Sequence, residues 1–245
     1  MTLPIRKGPI LEGLQFGDIS VDGQFMWGSN YTLLCQVTHK DQKLNAVYKP
    51  TRGEQPLWDF PTESLAGREV AAYLISEALG WGFVPPTIYR IDGPTGPGSL
   101  QLYIEHDSER HYFKFTDEER QKLRKIALFD VIVNNTDRKG GHVLIDLTQE
   151  DKFWVIDHGI CFHAQPKLRT VIWDFADETL SDHACEIISK LREQILPSTP
   201  LHTQLSAFLS EIEIIAMIGR IDKLTKSGIF PSPTDKRYSY PWPAV

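Results

Sequence analysis

The hydrophobic periodicity of this chain changes near residue 105, and that change limits the folds open to it. Up to that point, short runs of alternating strand-forming residues are separated by glycine and proline turns, and they surround one helical stripe. Beyond it the apolar spacing is mainly helical, with one small hairpin. Because strands and helices segregate along the chain, we predict an α+β protein with two lobes: a small antiparallel-sheet N-lobe with one helix, residues 1–104, and a mainly helical C-lobe, residues 105–245.

Turn and capping residues mark the ends of these elements. The first helix is predicted over residues 62–79, because Thr62 or Ser64 can cap it and Gly80 stands where a left-handed C-terminal residue belongs. The second is predicted over residues 116–133, because its first turn reads as a capping box. The remaining helices are predicted over residues 179–195 and 202–226, and the strands over residues 13–21, 31–37, 44–49, 88–91, 100–104, 142–146 and 153–156.

Composition excludes several classes of protein. The apolar runs are too short to span a membrane, and the net charge of −6 gives no general attraction for a nucleic-acid backbone. The three cysteines form no CxxC pair, so we expect neither a disulfide framework nor a cysteine-rich zinc site. The N-terminal residues lack the apolar core of a secretion signal. We therefore expect a reduced, soluble protein of the cytoplasm.

Two acidic residues stand in loops that a hairpin would bring together. Asp137 lies between a predicted helix and the strand over residues 142–146, and Asp157 follows the strand over residues 153–156. Such a hairpin places both carboxylates at one end, where one could orient a hydroxyl group or a water and the other could hold Mg²⁺ on the phosphates of a nucleotide. Gly159 would let the chain turn away after the metal ligand. The plainer alternative is two turn aspartates, since Asp is common in loops.

The sequence around these aspartates resembles the protein-kinase-like superfamily. The stretch Asp-Arg-Lys-Gly-Gly-His-Val-Leu, residues 137–144, is similar to a kinase catalytic loop, and Asp-His-Gly, residues 157–159, is similar to its metal-binding Asp-x-Gly. Residues 46–49 resemble the Val-Ala-Ile-Lys strand, and residues 68–87 are similar to type II phosphatidylinositol 4-kinases and HipA-like kinases. The resemblance implies a two-lobed protein-kinase-like fold.

A bacterial, chiefly actinobacterial, family of phosphatidylinositol 3/4-kinase-like proteins resembles the chain over residues 12–175 by motif. The resemblance implies that Asp137 takes the catalytic position, that Lys139 neutralises the transferring phosphate and that Asp157 binds the metal. His142 stands where protein kinases place a metal-binding Asn. It could equally be a hydrogen-bonded core histidine, and an imidazole suits Mn²⁺ or Zn²⁺ better than Mg²⁺.

The same resemblance implies a nucleotide site. Lys49 would grip the α- and β-phosphates and pair with Glu69, although an exposed strand-end lysine and a solvent-facing glutamate are the plainer alternatives. The kinase Gly-rich loop is absent, and the corresponding turn, residues 25–31, could still cap a phosphate. Residues 102–105, which join the two lobes, would form the hinge that binds adenine through backbone groups, and Val47 and Ile156 would sandwich the ring. The nucleotide-binding residues are therefore predicted to be Lys49, Glu69, Ser29, Asn30, Val47, Tyr103, Ile104, Glu105 and Ile156.

Together these features predict an ATP-dependent phosphotransferase that uses Mg²⁺ or Mn²⁺. It would move the γ-phosphate to a hydroxyl group on an unidentified acceptor, which could be a protein, a small molecule, a lipid or the chain itself. Two alternatives stay open. One is a pseudokinase that acts as a nucleotide-binding module, which His142 and the missing Gly-rich loop favour. The other is a metallohydrolase built on the acidic and histidine residues 137, 142, 157, 158 and 163, which would need a metal bound without nucleotide.

Overall fold

The computed structural model describes residues 8–24, 31–149, 151–235 and 238–245. Within them, a five-stranded antiparallel sheet is followed by a two-stranded hairpin and by helices. The strands are β1 (Asp18–Gln24), β2 (Leu33–His39), β3 (Gln42–Pro50), β4 (Thr87–Gly93), β5 (Gly96–Leu102), β6 (Val143–Ile145) and β7 (Phe153–Val155). The helices are α1 (Pro9–Phe16), α2 (Leu65–Ala78), α3 (Asp117–Gln121), α4 (Arg124–Val133), α5 (Asp182–Gln194), α6 (Pro200–Leu205) and α7 (Glu211–Ser227).

The five-stranded sheet follows from alternation on its central strands. Its strand order is β1-β2-β3-β5-β4. β2 buries every second residue over most of its length, and Cys35 lies opposite Ala46 on β3, which in turn lies opposite Leu102 on β5. One face of the sheet is therefore apolar. Because neighbouring residues of a strand point to opposite faces, Tyr48 is buried there and Lys49 lies on the other face.

A helix covers the apolar face at the point where a strand is predicted from residue 13. α1 carries Pro9 in its first turn, where a missing N–H breaks no hydrogen bond, and it buries Leu14 against the sheet. β1 begins only at Asp18. The prediction of a strand from residue 13 was wrong, because the spacing from Leu11 to Leu14 belongs to a short amphipathic helix and not to an alternating strand.

Helix α2 is capped from outside its own sequence. Ser64 occupies the N-cap position, but its hydroxyl donates to a carbonyl of the preceding loop. The carboxylate of Glu54 instead accepts the N–H groups of Leu65 at 3.1 Å and Ala66 at 2.8 Å. At the other end Gly80 has φ 67°, so the predicted left-handed residue is confirmed.

Two predicted helices are each divided. The predicted helix over residues 116–133 is α3 and α4, because the chain makes a tighter turn at Lys122 and Leu123. Its capping box is present as predicted. The predicted helix over residues 202–226 is α6 and α7, because Ser210 begins a new capping box.

Two apolar clusters hold these elements together. The smaller one lies under the five-stranded sheet and includes Leu14 and Tyr48. The larger one joins α2, α4, the β6–β7 hairpin, α5 and α7 around residues such as Phe129 and Met217. α2 therefore packs on the helical part of the chain, and the border predicted between residues 104 and 105 stays a prediction. In the described part of the chain, no helix is long and apolar enough to cross a membrane.

Candidate functional site

Lys49 stands between two carboxylates. Its Nζ donates to Oε1 of Glu69 at 2.5 Å and to Oδ1 of Asp157 at 2.9 Å. Glu69 is almost fully buried on α2, whereas half of the Asp157 side chain is exposed. The structure thus pairs Lys49 with Glu69 and adds Asp157, from the segment after β7, to the pair.

The charges of this group stabilise one another. Burial acts to lower the pKa of Lys49, but the charges of Asp157 and Glu69 outweigh it and raise that pKa. The Lys49 ammonium in turn holds the pKa of Asp157 well below its usual value, against the effect of burial. At neutral pH an ammonium group therefore faces a half-exposed carboxylate. A phosphate oxygen could take the place of that carboxylate, because it offers the ammonium a partner of the same charge and hydrogen-bonding capacity.

The β6–β7 hairpin brings Asp137 to the same place. Val143 pairs with Val155, so the loop before β6 and the residues after β7 lie at one end of the hairpin. Burial raises the pKa of Asp137 to about 6, while the Lys139 ammonium opposes this rise and the charge of Asp157 adds to it. Nζ of Lys139 lies 3.4 Å from Oδ2 of Asp137. We call residues 134–142 the Asp137 loop.

His142 contacts the Asp157 carboxylate. Its Nε2 lies 3.3 Å from Oδ2 of Asp157, and its Nδ1 accepts the N–H of Lys139 at 3.4 Å. Burial lowers the pKa of His142 to about 4, although the charge of Asp157 opposes this. The ring is therefore neutral at pH 7, with its proton on Nε2. It could bind a metal through Nε2 only after that proton moves to Nδ1.

A buried ion pair fixes the Asp137 loop. The Arg138 and Asp130 side chains are both fully buried, and Nη2 of Arg138 lies 2.9 Å from Oδ1 of Asp130. Nη1 of Arg138 donates to the carbonyl of Ile156, also at 2.9 Å. Arg138 thereby anchors the loop on a backbone carbonyl. It also ties α4 to the strand that ends just before Asp157.

After β7 the chain turns around Gly159, where the N–H of Cys161 donates to the carbonyl of His158 at 3.2 Å, and Asp157 directly precedes this turn. The φ of Asp157 is 63°, in the left-handed region, whereas the positive-φ glycines of the described chain do not include Gly159. A Cβ added to Gly159 would meet Cβ of Leu65 at 3.4 Å, an ordinary contact. The chain therefore turns at Gly159 as expected, but the left-handed residue is Asp157, a residue type that tolerates this conformation better than most side chains do.

The residues predicted to sandwich the adenine ring both point away from the apolar clusters. Val47 lies on the same face of β3 as Lys49, and Ile156 immediately precedes Asp157. Both are partly exposed, and neither packs against the two clusters. Ser29 and Asn30, which were predicted to bind the nucleotide, lie outside the described residues.

The predicted hinge offers free backbone donors. Tyr103 donates its N–H to the carbonyl of Asn45 at 2.9 Å, and Nδ1 of His106 lies 2.7 Å from the carbonyl of Ile104. The N–H groups of Ile104 and Glu105 have no hydrogen-bond partner among the residues that the structure describes. Hinge recognition of a base needs unpaired backbone donors of this kind.

Leu144 is an apolar residue on the same face of the β6–β7 hairpin as Ile156, and it was not predicted to contact the adenine ring. Within β6, Val143 belongs to the larger cluster and Ile145 packs against it, so Leu144 points to the opposite face. It is buried and yet belongs to neither cluster. Trp154 lies opposite it on β7, and alternation places Ile156 on that same face. Alternation within β6 is the signal that could have identified Leu144.

The metal-ligating groups available here are few. In the described ranges no group of three or more His, Cys, Asp or Glu side chains could hold a metal ion by itself. Asp157 and His142 offer two donors, which fits a Mg²⁺ or Mn²⁺ ion that completes its coordination with water and nucleotide phosphates. A metal bound without nucleotide, as the hydrolase alternative requires, does not fit: His158 is fully buried and His163 packs edge-on against Phe60.

Sequence comparison relates the chain to known proteins. A family model described as phosphatidylinositol 3- and 4-kinase matches residues 62–184, half of the chain. Protein Rv2133c of Mycobacterium tuberculosis is 37% identical over an alignment that covers 93% of this chain and 92% of that protein. Phosphatidylinositol 4-kinase gamma 4 of Oryza sativa is 31% identical over 110 residues, which cover 38% of this chain and 20% of the plant protein.

Solved structures of kinases share the fold. Hydra Fam20 with sugar superposes with a TM-score of 0.55 at 12% identity, over 91% of this chain and 89% of that one. The Golgi casein kinase with Mn/ADP bound superposes with a TM-score of 0.54 at 15% identity, over 96% of this chain and 80% of that one. The Helicobacter pylori proinflammatory kinase CtkA superposes with a TM-score of 0.53 at 12% identity, over 89% of this chain and 94% of that one. At such low sequence identity these similarities show the fold alone. They confirm the predicted α+β, two-lobed kinase-like class.

Proposed function

The chain belongs to the phosphatidylinositol 3- and 4-kinase family, and from that premise we propose that it is an ATP-dependent phosphotransferase. The family predicted from the sequence is thereby confirmed. One observation carries the proposal: Nζ of Lys49 lies between Glu69 and Asp157, and Asp137 stands at the same end of the hairpin. A cation and two partly exposed acids from distant parts of the chain meet where a triphosphate could lie.

Lys49 would bind the α- and β-phosphates of the nucleotide. Its two partners differ in exposure, since Glu69 is buried and Asp157 is half exposed. An incoming phosphate oxygen would therefore displace Asp157 and leave the Glu69 contact in place. The displaced carboxylate would then be free to act as a metal ligand, so phosphate binding and metal binding support each other.

Asp157, with His142 beside it, would hold the Mg²⁺ or Mn²⁺ ion. The bound ion would neutralise the phosphates and orient them. His142 contributes only in the tautomer that frees Nε2, and Asn would supply an oxygen without that requirement. We therefore expect Mn²⁺ to support turnover better than Mg²⁺, since an imidazole nitrogen suits the former better.

Asp137 would orient the acceptor hydroxyl and receive its proton. With a pKa of about 6, it is mostly ionised at pH 7 and is a stronger base than an ordinary aspartate. Lys139, 3.4 Å away, would stabilise the charge on the transferred phosphoryl group. Catalysis of this kind depends on positioning and on charge neutralisation, with little covalent chemistry by the protein.

The adenine ring would lie between the sheet and the β6–β7 hairpin. Val47 from above and Ile156 and Leu144 from below would supply apolar contact, and the hinge N–H groups of Ile104 and Glu105 would supply hydrogen bonds. Tyr103 would form part of the hinge. Ser29 and Asn30 would cap a phosphate of the nucleotide.

The acceptor stays open between a protein, a small molecule, a lipid and the chain itself. The Oryza sativa relative is named for a lipid substrate, but this chain covers only 20% of it. The Golgi casein kinase is named for a protein substrate, and its similarity concerns the fold. The division into lobes at residues 104 and 105 and action in the cytoplasm also remain proposals from the sequence.

A specific observation favours one second candidate, a nucleotide-binding module without turnover. His142 presents a protonated Nε2 toward Asp157, where kinases place an amide oxygen, and Asp157 is already neutralised by Lys49. If nucleotide binding did not displace Asp157 from Lys49, the metal would lose its main ligand. Nucleotide would then bind and stay intact.

One experiment separates the two candidates. Thermal shift with ATP is measured in Mg²⁺ and in Mn²⁺, followed by ATP turnover under the same conditions. Asp157→Ala should abolish turnover, and Asp41→Asn, in an exposed hairpin turn, is the matched control. His142→Asn should raise turnover with Mg²⁺ relative to Mn²⁺. ATP binding without turnover in the wild type would favour the module, and turnover at the wild-type rate in Asp157→Ala would refute the kinase site.

A further inference from the structure

His158 lies next to Asp157 but its side chain is part of the interior. It is fully buried and packs edge-on against Phe129, with 5.7 Å between ring centroids. A purely apolar residue would satisfy that packing. The imidazole nitrogens therefore call for a separate explanation, and each of them faces a residue of the candidate site.

One ring nitrogen accepts from the Asp137 loop. Nη2 of Arg138 lies 2.8 Å from Nε2 of His158. A guanidinium group can only donate, so Nε2 must be the unprotonated nitrogen. The neutral ring then carries its proton on Nδ1. Arg138 thus sets the tautomer of His158 in the same way that it sets the Asp137 loop, through a side chain that Asp130 holds in place.

The other ring nitrogen faces the partner of Lys49. Nδ1 of His158 lies 3.8 Å from Oε2 of Glu69, and it has no hydrogen-bond partner among the described residues. The backbone N–H of His158 already donates to the same oxygen at 2.9 Å. Buried donors are nearly always paired in native proteins. An approach of less than about 1 Å would make this one a hydrogen bond to Glu69.

We propose that His158 is a positioning residue that couples the Asp137 loop, through Arg138, to the Lys49–Glu69 pair. This rests on the proposed phosphotransferase function. When a phosphate oxygen takes the place of Asp157, Lys49 keeps its contact with Oε1 of Glu69, and the Nδ1–H of His158 closes on Oε2 as its second donor, which holds Glu69 in position. The imidazole thereby ties the position of the phosphate-binding lysine to the loop that carries the catalytic aspartate. A phenylalanine would fill the same space and would transmit nothing between the two.

The tautomer is tested without any activity assay. The ¹⁵N spectrum of the histidine-labelled full chain is compared with that of His158→Phe, which identifies the His158 signals by their loss. We expect a neutral ring with the proton on Nδ1, and on adding ATP with Mn²⁺ omitted we expect the Nδ1 proton to move to the shift of a stronger hydrogen bond. A proton on Nε2, or a Nδ1 proton that does not respond to nucleotide, would overturn the proposal.

The coupling is tested by kinetics. His158→Phe should lower kcat/KM for ATP turnover by about 10- to 100-fold, the range expected for a lost hydrogen bond to a charged group, while the nucleotide Kd changes little. His158→Asn retains an N–H near the place of Nδ1 and should recover part of the loss. In a Glu69→Gln background the additional effect of His158→Phe should largely vanish, because both changes break the same link.

Controls separate this proposal from folding and from the kinase proposal itself. His183→Asn, on the exposed surface of α5, should keep wild-type turnover. If His158→Phe fails to fold, His158→Asn and His158→Gln replace it in the double-mutant cycle with Glu69→Gln. Additive effects of the His158 and Glu69 changes would overturn the coupling. Absence of turnover in the wild type would refute the kinase proposal, and the ¹⁵N experiment would then still decide the role of His158.

Discussion

Glu213 is predicted to anchor the helix that carries Glu69. Oε1 of Glu213, on α7, accepts from Nη2 of Arg68, on α2, at 2.6 Å, and the two side chains are 10% and 1% exposed. Arg68 also donates to the carbonyl of Cys161 at 2.7 Å. The ion pair therefore ties α2 to α7, and the Cys161 hydrogen bond ties it to the segment after β7, one residue before Glu69. Glu213→Ala would leave a buried guanidinium without its carboxylate.

The magnitude follows from two separate contacts of Glu213. Breaking a buried ion pair by removing one partner costs about 3–5 kcal/mol. Oε2 of Glu213 also accepts from the backbone and hydroxyl of Ser210 at 2.9 and 2.8 Å, which caps α7. Ser210→Ala removes part of that cap alone and should cost about 1 kcal/mol. Glu213→Ala should therefore lower the free energy of unfolding several-fold more than Ser210→Ala does.

Urea unfolding followed by tryptophan fluorescence measures these costs. Burial acts to raise the pKa of Glu213, but the charge of Arg68 and the Ser210 hydrogen bonds outweigh it and lower that pKa. A carboxyl group with a lowered folded-state pKa stabilises the protein above its unfolded pKa of 4.5, and this stabilisation is lost as pH falls through the folded-state value. The difference between wild type and Glu213→Gln should shrink over that range.

Two outcomes would contradict this account of Glu213. One is a Glu213→Ala variant no less stable than Ser210→Ala, which would mean that Arg68 finds another carboxylate or water at little cost. The other is a variant that loses stability but keeps the full thermal shift with nucleotide, which would separate the position of α2 from the binding of phosphate by Lys49.

Three further predictions concern the site itself. Lys49→Met should lower both the nucleotide-induced thermal shift and the free energy of unfolding. Adding Glu69→Gln should restore about 1–2 kcal/mol of stability without restoring turnover, because it removes the buried carboxylate that Lys49→Met leaves unpaired. Urea unfolding and an ATP assay measure the two effects, and recovered turnover in the double variant would contradict the role of Lys49. Because the pKa of Asp137 is raised from 3.8 to about 6 and its ionised form accepts the proton, kcat/KM should rise with pH through about 6 and level off above it. A profile of kcat/KM that is flat from pH 5 to 8 would contradict this assignment. Gly159→Ala should leave the melting temperature nearly unchanged, whereas Gly80→Ala, at φ 67°, should cost about 1 kcal/mol; calorimetry that ranks them in the opposite order would refute the backbone argument.

Local features of this fold were readable in the sequence. The capping box at Thr116 depends on two residues of one turn, and the left-handed residue at Gly80 depends on one, so both could be predicted and both are present. The same holds for the β6–β7 hairpin that brings Asp137 and Asp157 together, because short strands joined by a polar loop pair with each other.

Contacts between distant segments were not readable in that way. Glu54 caps α2 although serine and threonine stand at its start, and Asp130 neutralises Arg138 across the end of α4. The left-handed residue beside Gly159 is a further case. A glycine in a motif indicates freedom of the backbone, but the left-handed residue is Asp157, whose carboxylate is held by Lys49 from the sheet.

The sequence by itself determined most of the strands and helices, the family and the identity of the charged residues, because periodicity, capping and motif spacing are properties of neighbouring residues. Only the tertiary structure decided which charges face each other. It placed Lys49 between two acids rather than one, and it turned the two nitrogens of His158 toward Arg138 and Glu69. The physical reason is that the electrostatic and hydrogen-bond energies of a buried group depend on its distance in space from partners that the chain order does not specify.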